Sequence, residues 1–131
     1  MRAKLPKKLT LLTMAVCAVG LALALPAIGH KVTYGTNLQL KADTLNDTTE
    51  QYSGKVTSTK AACKAGRTIT VAAAGAPVAT TVSNASGDWV VTGPVPAKGT
   101  IITASTPKKF LVRNKKHRHK CGPASTTHRA N

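Results

Sequence analysis

Apolar and polar residues alternate along most of the chain beyond residue 50, which is the pattern of strands with one buried face. β-branched Val, Ile and Thr are abundant there, and they favour the pleated backbone of a strand. The pattern predicts an all-β fold with strands over residues 51–58, 67–72, 77–83, 89–92, 100–104 and 109–113. The side chains predicted to face the core are those of Tyr52, Val56, Ile69, Val71, Val78, Val82 and Trp89.

Turn-forming residues separate these predicted strands. Gly, Pro, Asn and Asp concentrate at residues 64–66, 84–88, 93–94 and 96–99. Strands that recur every eight to twelve residues or so are typical of a β-sandwich. No stretch beyond residue 30 carries an apolar stripe at helical spacing. The sequence therefore predicts a single antiparallel β-sandwich with its core in residues 51–122.

The segments that flank this predicted core are polar. Within residues 30–50, the alternation over 36–42 suits an opening strand, and 45–50 has the composition of a loop. Two interpretations stay open for residues 123–131, a polar tail or a last strand at 125–127. Neither flank changes the predicted fold class.

Residues 1–29 have the three parts of a secretory signal peptide: a basic start, an apolar run over 9–25 and small residues before the end. Cleavage after Gly29 makes His30 the new N-terminus, and cleavage after Ala27 is the alternative. An uncleaved helical anchor is also considered, although the run is shorter than the roughly 20 residues that span a bilayer. The sequence predicts a protein that is secreted or associated with the cell wall, and that meets the membrane only transiently.

The cysteines support export. Cys17 lies inside the signal segment, so the exported chain keeps Cys63 and Cys121. An even number of cysteines in an oxidising compartment predicts a disulfide, here closing a loop of nearly 60 residues that is worth roughly 4 kcal/mol in the chain-entropy model. Two free thiols are the alternative.

Residues 50–121 contain an ordered series of short motifs, namely YSGKVTS at 52–58, CKAGRTITV at 63–71, SGDW at 86–89, AKGT at 97–100 and a basic segment ending in Cys121. The series resembles a group of small secreted actinobacterial proteins. That group is similar to the prealbumin-like, carboxypeptidase-regulatory-like modules, which are immunoglobulin-like β-sandwiches. Asn84 stands where the group has an Asp, and residues 101–102 are Ile where aromatic residues are common. The resemblance implies a sandwich and export, and it implies no catalytic residue.

Positive charge is the most unusual property of the composition. The chain has 19 basic and four acidic residues, a net charge of +15, and removal of residues 1–29 takes away four of the basic ones to leave +11. A dense basic run attracts polyanions, so we expect it to bind an anionic wall polymer or polysaccharide; a solvated loop is the alternative. Sequence-specific nucleic-acid recognition is not expected, because aromatic residues are few and no DNA-reading motif occurs. The predicted contact residues are Lys108, Lys109, Arg113, Lys115, Lys116, Arg118 and Lys120.

Three histidines raise the question of a metal. His117 and His119 are two residues apart and point the same way on a strand, and a free His30 offers an amino group and an imidazole, which suit copper, nickel or zinc. Against this, four cations between residues 115 and 120 oppose a divalent ion, and no carboxylate lies nearby in sequence. We therefore expect no resident metal or other cofactor. A copper-binding exported protein that uses these three histidines stays an alternative.

The remaining polar residues do not suggest an enzyme. Asp43, Asp47 and Glu50 lack the glycine and the regular spacing of a calcium loop, and Asp88 belongs to a predicted turn. The sequence predicts a non-enzymatic interaction module. A carbohydrate-binding sandwich is also considered, and it requires exposed aromatic faces at positions such as Tyr52 and Trp89, which the alternation instead directs to the core.

Overall fold

The computed structural model describes residues 29–131, which form β-strands and one short 3-10 helix, Ala61–Cys63. The fold class predicted from the alternation is confirmed: the described chain is all-β. The strands are β1 (His30–Tyr34), β2 (Asn37–Leu38), β3 (Lys41–Asn46), β4 (Thr49–Thr57), β5 (Thr68–Ala73), β6 (Ala76–Val82), β7 (Asp88–Pro94), β8 (Ile101–Thr106), β9 (Lys109–Arg113), β10 (His117–Cys121) and β11 (Ala124–Arg129).

Eight of the eleven strands in the described residues form two four-stranded antiparallel sheets. In the first sheet β4 is central, because β3 and β7 pair with its two edges and β2 pairs with its last two residues. The second sheet has the strand order β11-β8-β5-β6. The connection between β6 and β7 passes from one sheet to the other, and Gly87 in it adopts a φ of 89°. A Cβ at Gly87 would collide with the Val56 carbonyl, so the turn requires glycine there.

The hydrophobic core draws on strands of both four-stranded sheets. β2, β4 and β7 contribute to it from the first sheet, and β5 and β8 from the second. Tyr52 and Ile69 are completely buried, and the single tryptophan is 4% exposed. Because side chains from both sheets share this cluster, each sheet removes the apolar face of the other from water. The buried members are Leu38, Tyr52, Val56, Ile69, Val71, Trp89, Ile102 and Ala104.

A third sheet has the order β1-β10-β9. β9 and β10 form an antiparallel hairpin, whereas β1 pairs with β10 in parallel. This parallel pair departs from the antiparallel topology predicted from the sequence. The reason is the connection: β1 and β10 are separated by most of the described chain, and a long crossover permits parallel pairing where a tight turn does not.

The third sheet is fixed to the rest of the molecule by a disulfide and by a buried arginine. Cys63, at the end of the 3-10 helix, is bonded to Cys121 at the end of β10, as predicted, and the two Cα atoms are 5.4 Å apart. Beside the disulfide, the Arg67 guanidinium donates to the carbonyl oxygens of Cys63, Pro107 and Gly122 at 2.8–2.9 Å.

Several segments differ from the expectation drawn from the pattern. The predicted strand at 109–113 is β9, but the rest of the basic run, expected as a loop, contains a second strand, β10. The residues predicted as a loop at 45–50 are the end of β3 and the start of β4 around a two-residue turn. Residues 124–129 form a full strand, so the strand interpretation of the C-terminal segment is the one found. Val82 is predicted to face the core but is 59% exposed, because the pairing of β6 with β5 shifts register between Val71 and Ala72.

The predicted signal peptide and Cys17 lie outside the described residues, apart from Gly29. In residues 29–131, no helix has the length and apolar character needed to cross a membrane.

Candidate functional site on the three-stranded sheet

The hairpin of β9 and β10 is closed by Asn114. Its side-chain Oδ1 accepts hydrogen bonds from the backbone N–H groups of Lys116 at 2.9 Å and His117 at 2.7 Å. Its own N–H donates to the His117 carbonyl at 3.0 Å. Asparagine is favoured in turns because its side chain bonds the backbone ahead of it. This turn sets the register in which β10 begins to pair with β9, and the register shifts farther along, between His119 and Lys120.

Alternation along β10 gives the sheet two chemically different faces. His117, His119 and Cys121 point to one side, and Arg118 and Lys120 point to the other. The parallel partner β1 is in matching register, with His30 opposite His117 and Lys31 opposite Arg118 in the ladder. We call these the histidine face and the basic face.

On the histidine face, three imidazole rings converge. His30 Nδ1 lies 3.1 Å from His117 Nδ1, and His30 Nε2 lies 2.9 Å from His119 Nε2. The ring centroids of His30 are 4.7 Å and 4.9 Å from those of His117 and His119. One nitrogen from each ring can be chosen so that all three lie within 4.8 Å of one another. His30 is exposed, and the other two rings are half-buried.

On the basic face, three cations stand side by side across the sheet. Lys31 on β1 is opposite Arg118 on β10, which is opposite Arg113 on β9. All three are exposed. The ion pairs found in residues 29–131 are Lys41–Asp43 and Lys55–Asp88, so no carboxylate of the described chain neutralises this row. Like charges placed directly opposite each other on a sheet are destabilising.

Phe110 lies in the next row of the basic face, opposite Lys120. Two cations cover its ring, the Arg113 guanidinium at 4.9 Å and the Lys108 ammonium at 5.6 Å from the centroid. Such cation–π contacts attract the cations to the face of the ring and so favour one orientation of each. The ring is 37% exposed, and both charged groups lie over its face.

The seven predicted contact residues do not form one surface. Arg113, Arg118 and Lys120 belong to the basic face, Lys108 lies at its edge, and Lys115 and Lys116 lie in the turn. Lys109 points elsewhere: its ammonium group donates to the carbonyl oxygens of Ala65 at 2.8 Å and Ala62 at 3.4 Å, and so attaches the hairpin to the 3-10 helix and the residues after it. A cavity of about 280 Å³ near the turn is lined by Gly29, His30, Lys31, Lys115, Lys116 and Arg118.

Neither the residues considered for calcium binding nor those considered for sugar stacking form such a site. The side chains of Asp43, Asp47 and Glu50 do not form a metal-ligating group, since within residues 29–131 the histidine cluster is the one such group of three. Tyr52 and Trp89 are buried, so their ring faces are not available to a sugar. A cavity of about 610 Å³ is lined by Thr70, Ser105, Thr106, Pro107, Pro123, Ala124 and Ser125, none of which titrates.

Comparisons with protein-family models, with curated proteins and with solved structures found no match to this chain. The site must therefore be interpreted from its own geometry.

Sequence reasoning missed two residues that organise this region. Lys31 completes the row of cations, but it was not assigned because β1 was not predicted. The alternation in HKVTY is a weak signal for that strand. Arg67 is 1% exposed, and no local pattern distinguishes it from a surface arginine.

Proposed function

We propose that this protein is an exported, single-domain β-sandwich of the prealbumin-like or immunoglobulin-like type that binds extracellular polyanions through the basic face of its third sheet. It acts as a non-enzymatic interaction module. The observation that carries the proposal is the row of Lys31, Arg118 and Arg113, three like charges side by side with no carboxylate partner among the described residues.

Electrostatics explains why this row favours a polyanion. The three cations repel one another in the free protein, and an anionic chain laid across them removes that repulsion while gaining attraction to each. The stacking of Arg113 on Phe110 holds its guanidinium in place, so less side-chain freedom is lost on binding. Arginine also donates two parallel hydrogen bonds to a phosphate, sulfate or carboxylate group.

Export is supported by the segment at 1–29 and by the disulfide. The pairing of Cys63 with Cys121 is the state expected in an oxidising compartment. Phosphate-bearing wall polymers and acidic polysaccharides are the polyanions such a compartment offers. The sandwich type is supported by two four-stranded sheets that share one core.

Chromatography on immobilised heparin tests the proposed function, with inorganic polyphosphate as a competing phosphate polymer. We expect the protein to be retained and to elute with added salt, because binding releases condensed counterions. The variant Lys31→Gln/Arg113→Gln/Arg118→Gln should bind about 100-fold more weakly, at roughly 1 kcal/mol for each cation next to an anionic surface.

A matched control separates this face from overall charge. The variant Lys41→Gln/Lys98→Gln/Arg129→Gln removes the same number of positive charges from exposed positions on other parts of the molecule, Lys41 being the ion-pair partner of Asp43. We expect it to elute close to the unchanged protein. Equal losses in the two triple variants would show that retention follows net charge, and the proposed contact surface would then be wrong. A further variant, Lys115→Gln/Lys116→Gln, measures how much the two lysines of the turn contribute to retention on heparin.

A further inference from the structure

The histidine face carries an inference independent of the polyanion surface on the opposite side of the sheet. We propose that His30, His117 and His119 form a binding site for one divalent late first-row metal ion, Cu²⁺ or Zn²⁺. Each of the three residues contributes one imidazole nitrogen.

The backbone explains why the three rings meet. His117 and His119 share a face because they are two residues apart on β10, and the parallel register of β1 places His30 directly opposite His117. The rings are therefore positioned by two paired strands. Strand β10 is itself held at its end by the disulfide at Cys121. Because strand pairing already brings the rings together, less freedom is lost when they bind one ion.

The distances fit a small ion with modest adjustment. Metal–nitrogen bonds to imidazole are about 2.0–2.1 Å, so two ligands of one tetrahedral ion lie roughly 3.3 Å apart. His30 lies 3.1 Å and 2.9 Å from its two neighbours, but it presents a different ring nitrogen to each. Binding requires His30 to turn until one nitrogen faces both partners, and its exposed position allows that rotation. Three imidazoles leave a fourth position open for water or another ligand.

Strand alternation also weakens the objection from nearby charge. Arg118 and Lys120 point to the basic face, away from the rings, and Lys31 does the same on β1. Lys115 and Lys116 line a cavity together with His30, but both are exposed, and the high dielectric constant of water weakens their repulsion of an ion. The histidine face itself carries Val32 and Val112 beside His119, so no cation of the ladder stands next to this ring.

The donor set indicates the class of ion. Neutral imidazole nitrogens suit Cu²⁺, Ni²⁺ and Zn²⁺ better than Ca²⁺ or Mg²⁺, which prefer oxygen. Among these ions the general order of affinity places Cu²⁺ highest. The site needs no α-amino group, because the imidazoles alone supply three ligands. If the chain is cleaved after Gly29, as the sequence predicts, the amino group of His30 becomes available as a further nitrogen ligand.

Calorimetric titration of the exported protein with CuSO₄ and, separately, with ZnCl₂ tests the site, with the mass of the purified chain recorded to establish its first residue. We expect one ion per chain and tighter binding of Cu²⁺. Each of His30→Ala, His117→Ala and His119→Ala should weaken binding at least about tenfold. Even changes to the residues that support a metal's direct ligands cost about that much affinity.

The fourth histidine provides the matched control. His128 lies on β11 in the second sheet, away from the cluster, so His128→Ala should bind the ion as the unchanged protein does. Equal affinity in all four variants, or binding that does not saturate at one ion, would overturn the proposal.

A spectroscopic readout does not depend on any variant. Electron paramagnetic resonance of the unchanged protein with one equivalent of Cu²⁺ should show hyperfine coupling to several nitrogen nuclei. A spectrum without nitrogen coupling would also overturn the proposal.

Discussion

Arg67 is the residue on which several segments of the fold converge. Its guanidinium is buried without a carboxylate partner among the described residues, and it donates to three backbone carbonyls and to the Thr36 hydroxyl. Burial lowers its pKa, because removing the ion from water disfavours the charged form. The four acceptors offset this cost and hold together chain segments that are far apart in sequence.

Replacing Arg67 with lysine should destabilise the protein strongly. Lysine keeps the charge but cannot donate from two nitrogens in a planar fork, so buried carbonyls lose their donors at about 1–3 kcal/mol each. We expect the free energy of unfolding, measured in urea, to fall by about 3 kcal/mol. Arg129→Lys is the control, because Arg129 is exposed and makes a single bond of 3.5 Å to Gly99. Similar losses in the two variants would contradict the anchoring role.

Tyr52 gives a second test at the scale of one residue. Burial, and to a lesser extent the nearby Glu50 carboxylate, raises the pKa of its phenol. The unfolded chain therefore loses this proton at a lower pH than the folded chain. The stability that depends on the neutral phenol is complete below the ordinary tyrosine pKa of about 10, and it is lost as the pH rises through the raised folded value.

Tyr52→Phe should accordingly show a pH-dependent difference from the unchanged protein. At about pH 8 the variant is slightly less stable, because it loses the 3.3 Å hydrogen bond to the Pro94 carbonyl. As the pH rises above about 10 we expect this difference to shrink and then change sign. Urea unfolding at a series of pH values measures it, with Tyr34→Phe as the control for loss of one phenol. A difference independent of pH would contradict the expectation.

At the scale of elements, the third sheet depends on its attachment. β1, β9 and β10 contribute no buried residue to the hydrophobic core cluster, so little apolar burial holds this sheet in place. The disulfide, Arg67 and Lys109 bond it to the helix and loops beneath it. Both proposed binding surfaces lie on this sheet, so both depend on that attachment.

Removing the disulfide should therefore loosen one sheet more than the others. In Cys63→Ala/Cys121→Ala we expect a loss of about 4 kcal/mol in unfolding free energy. Amide hydrogen exchange should speed up more in β1, β9 and β10 than in β5 and β6, because local opening follows the weakest attachments. A uniform increase across all strands would show instead that the third sheet opens only with global unfolding.

At the scale of the whole molecule, the two four-stranded sheets depend on each other for stability. Neither can keep its apolar face buried alone, since Tyr52 and Trp89 on one sheet pack in the same cluster as Ile69 and Ile102 on the other. We therefore expect unfolding in a single cooperative step.

Trp89 is the only tryptophan, and it is buried, so its fluorescence reports on this shared core. Thermal unfolding followed by that fluorescence and by far-ultraviolet circular dichroism should give coincident curves with one midpoint. Two separate transitions would show that the sheets unfold independently. Val90 lies on the exposed side of the same strand, so Val90→Thr should leave the midpoint of this transition nearly unchanged.

Local patterns were enough to predict much of this protein. The all-β class, the strands from β4 to β9, and the burial of Tyr52, Ile69 and Trp89 follow from a two-residue period, because neighbouring side chains on a strand point to opposite faces. The Cys63–Cys121 pairing followed from counting cysteines. The polar segments at 30–34 and 117–121 lack a strong apolar period, so β1 and β10 were not predicted.

Only the tertiary structure decided where the row of cations and the histidine cluster lie. No local rule pairs β1 with β10 in parallel, because that contact joins residues 87 positions apart, His30 and His117. The same pairing placed Lys31 beside Arg118, and strand alternation separated the cations from the imidazoles. The sequence determined which residue types were present and how each strand alternates; the pairing of distant strands decided which of those side chains meet.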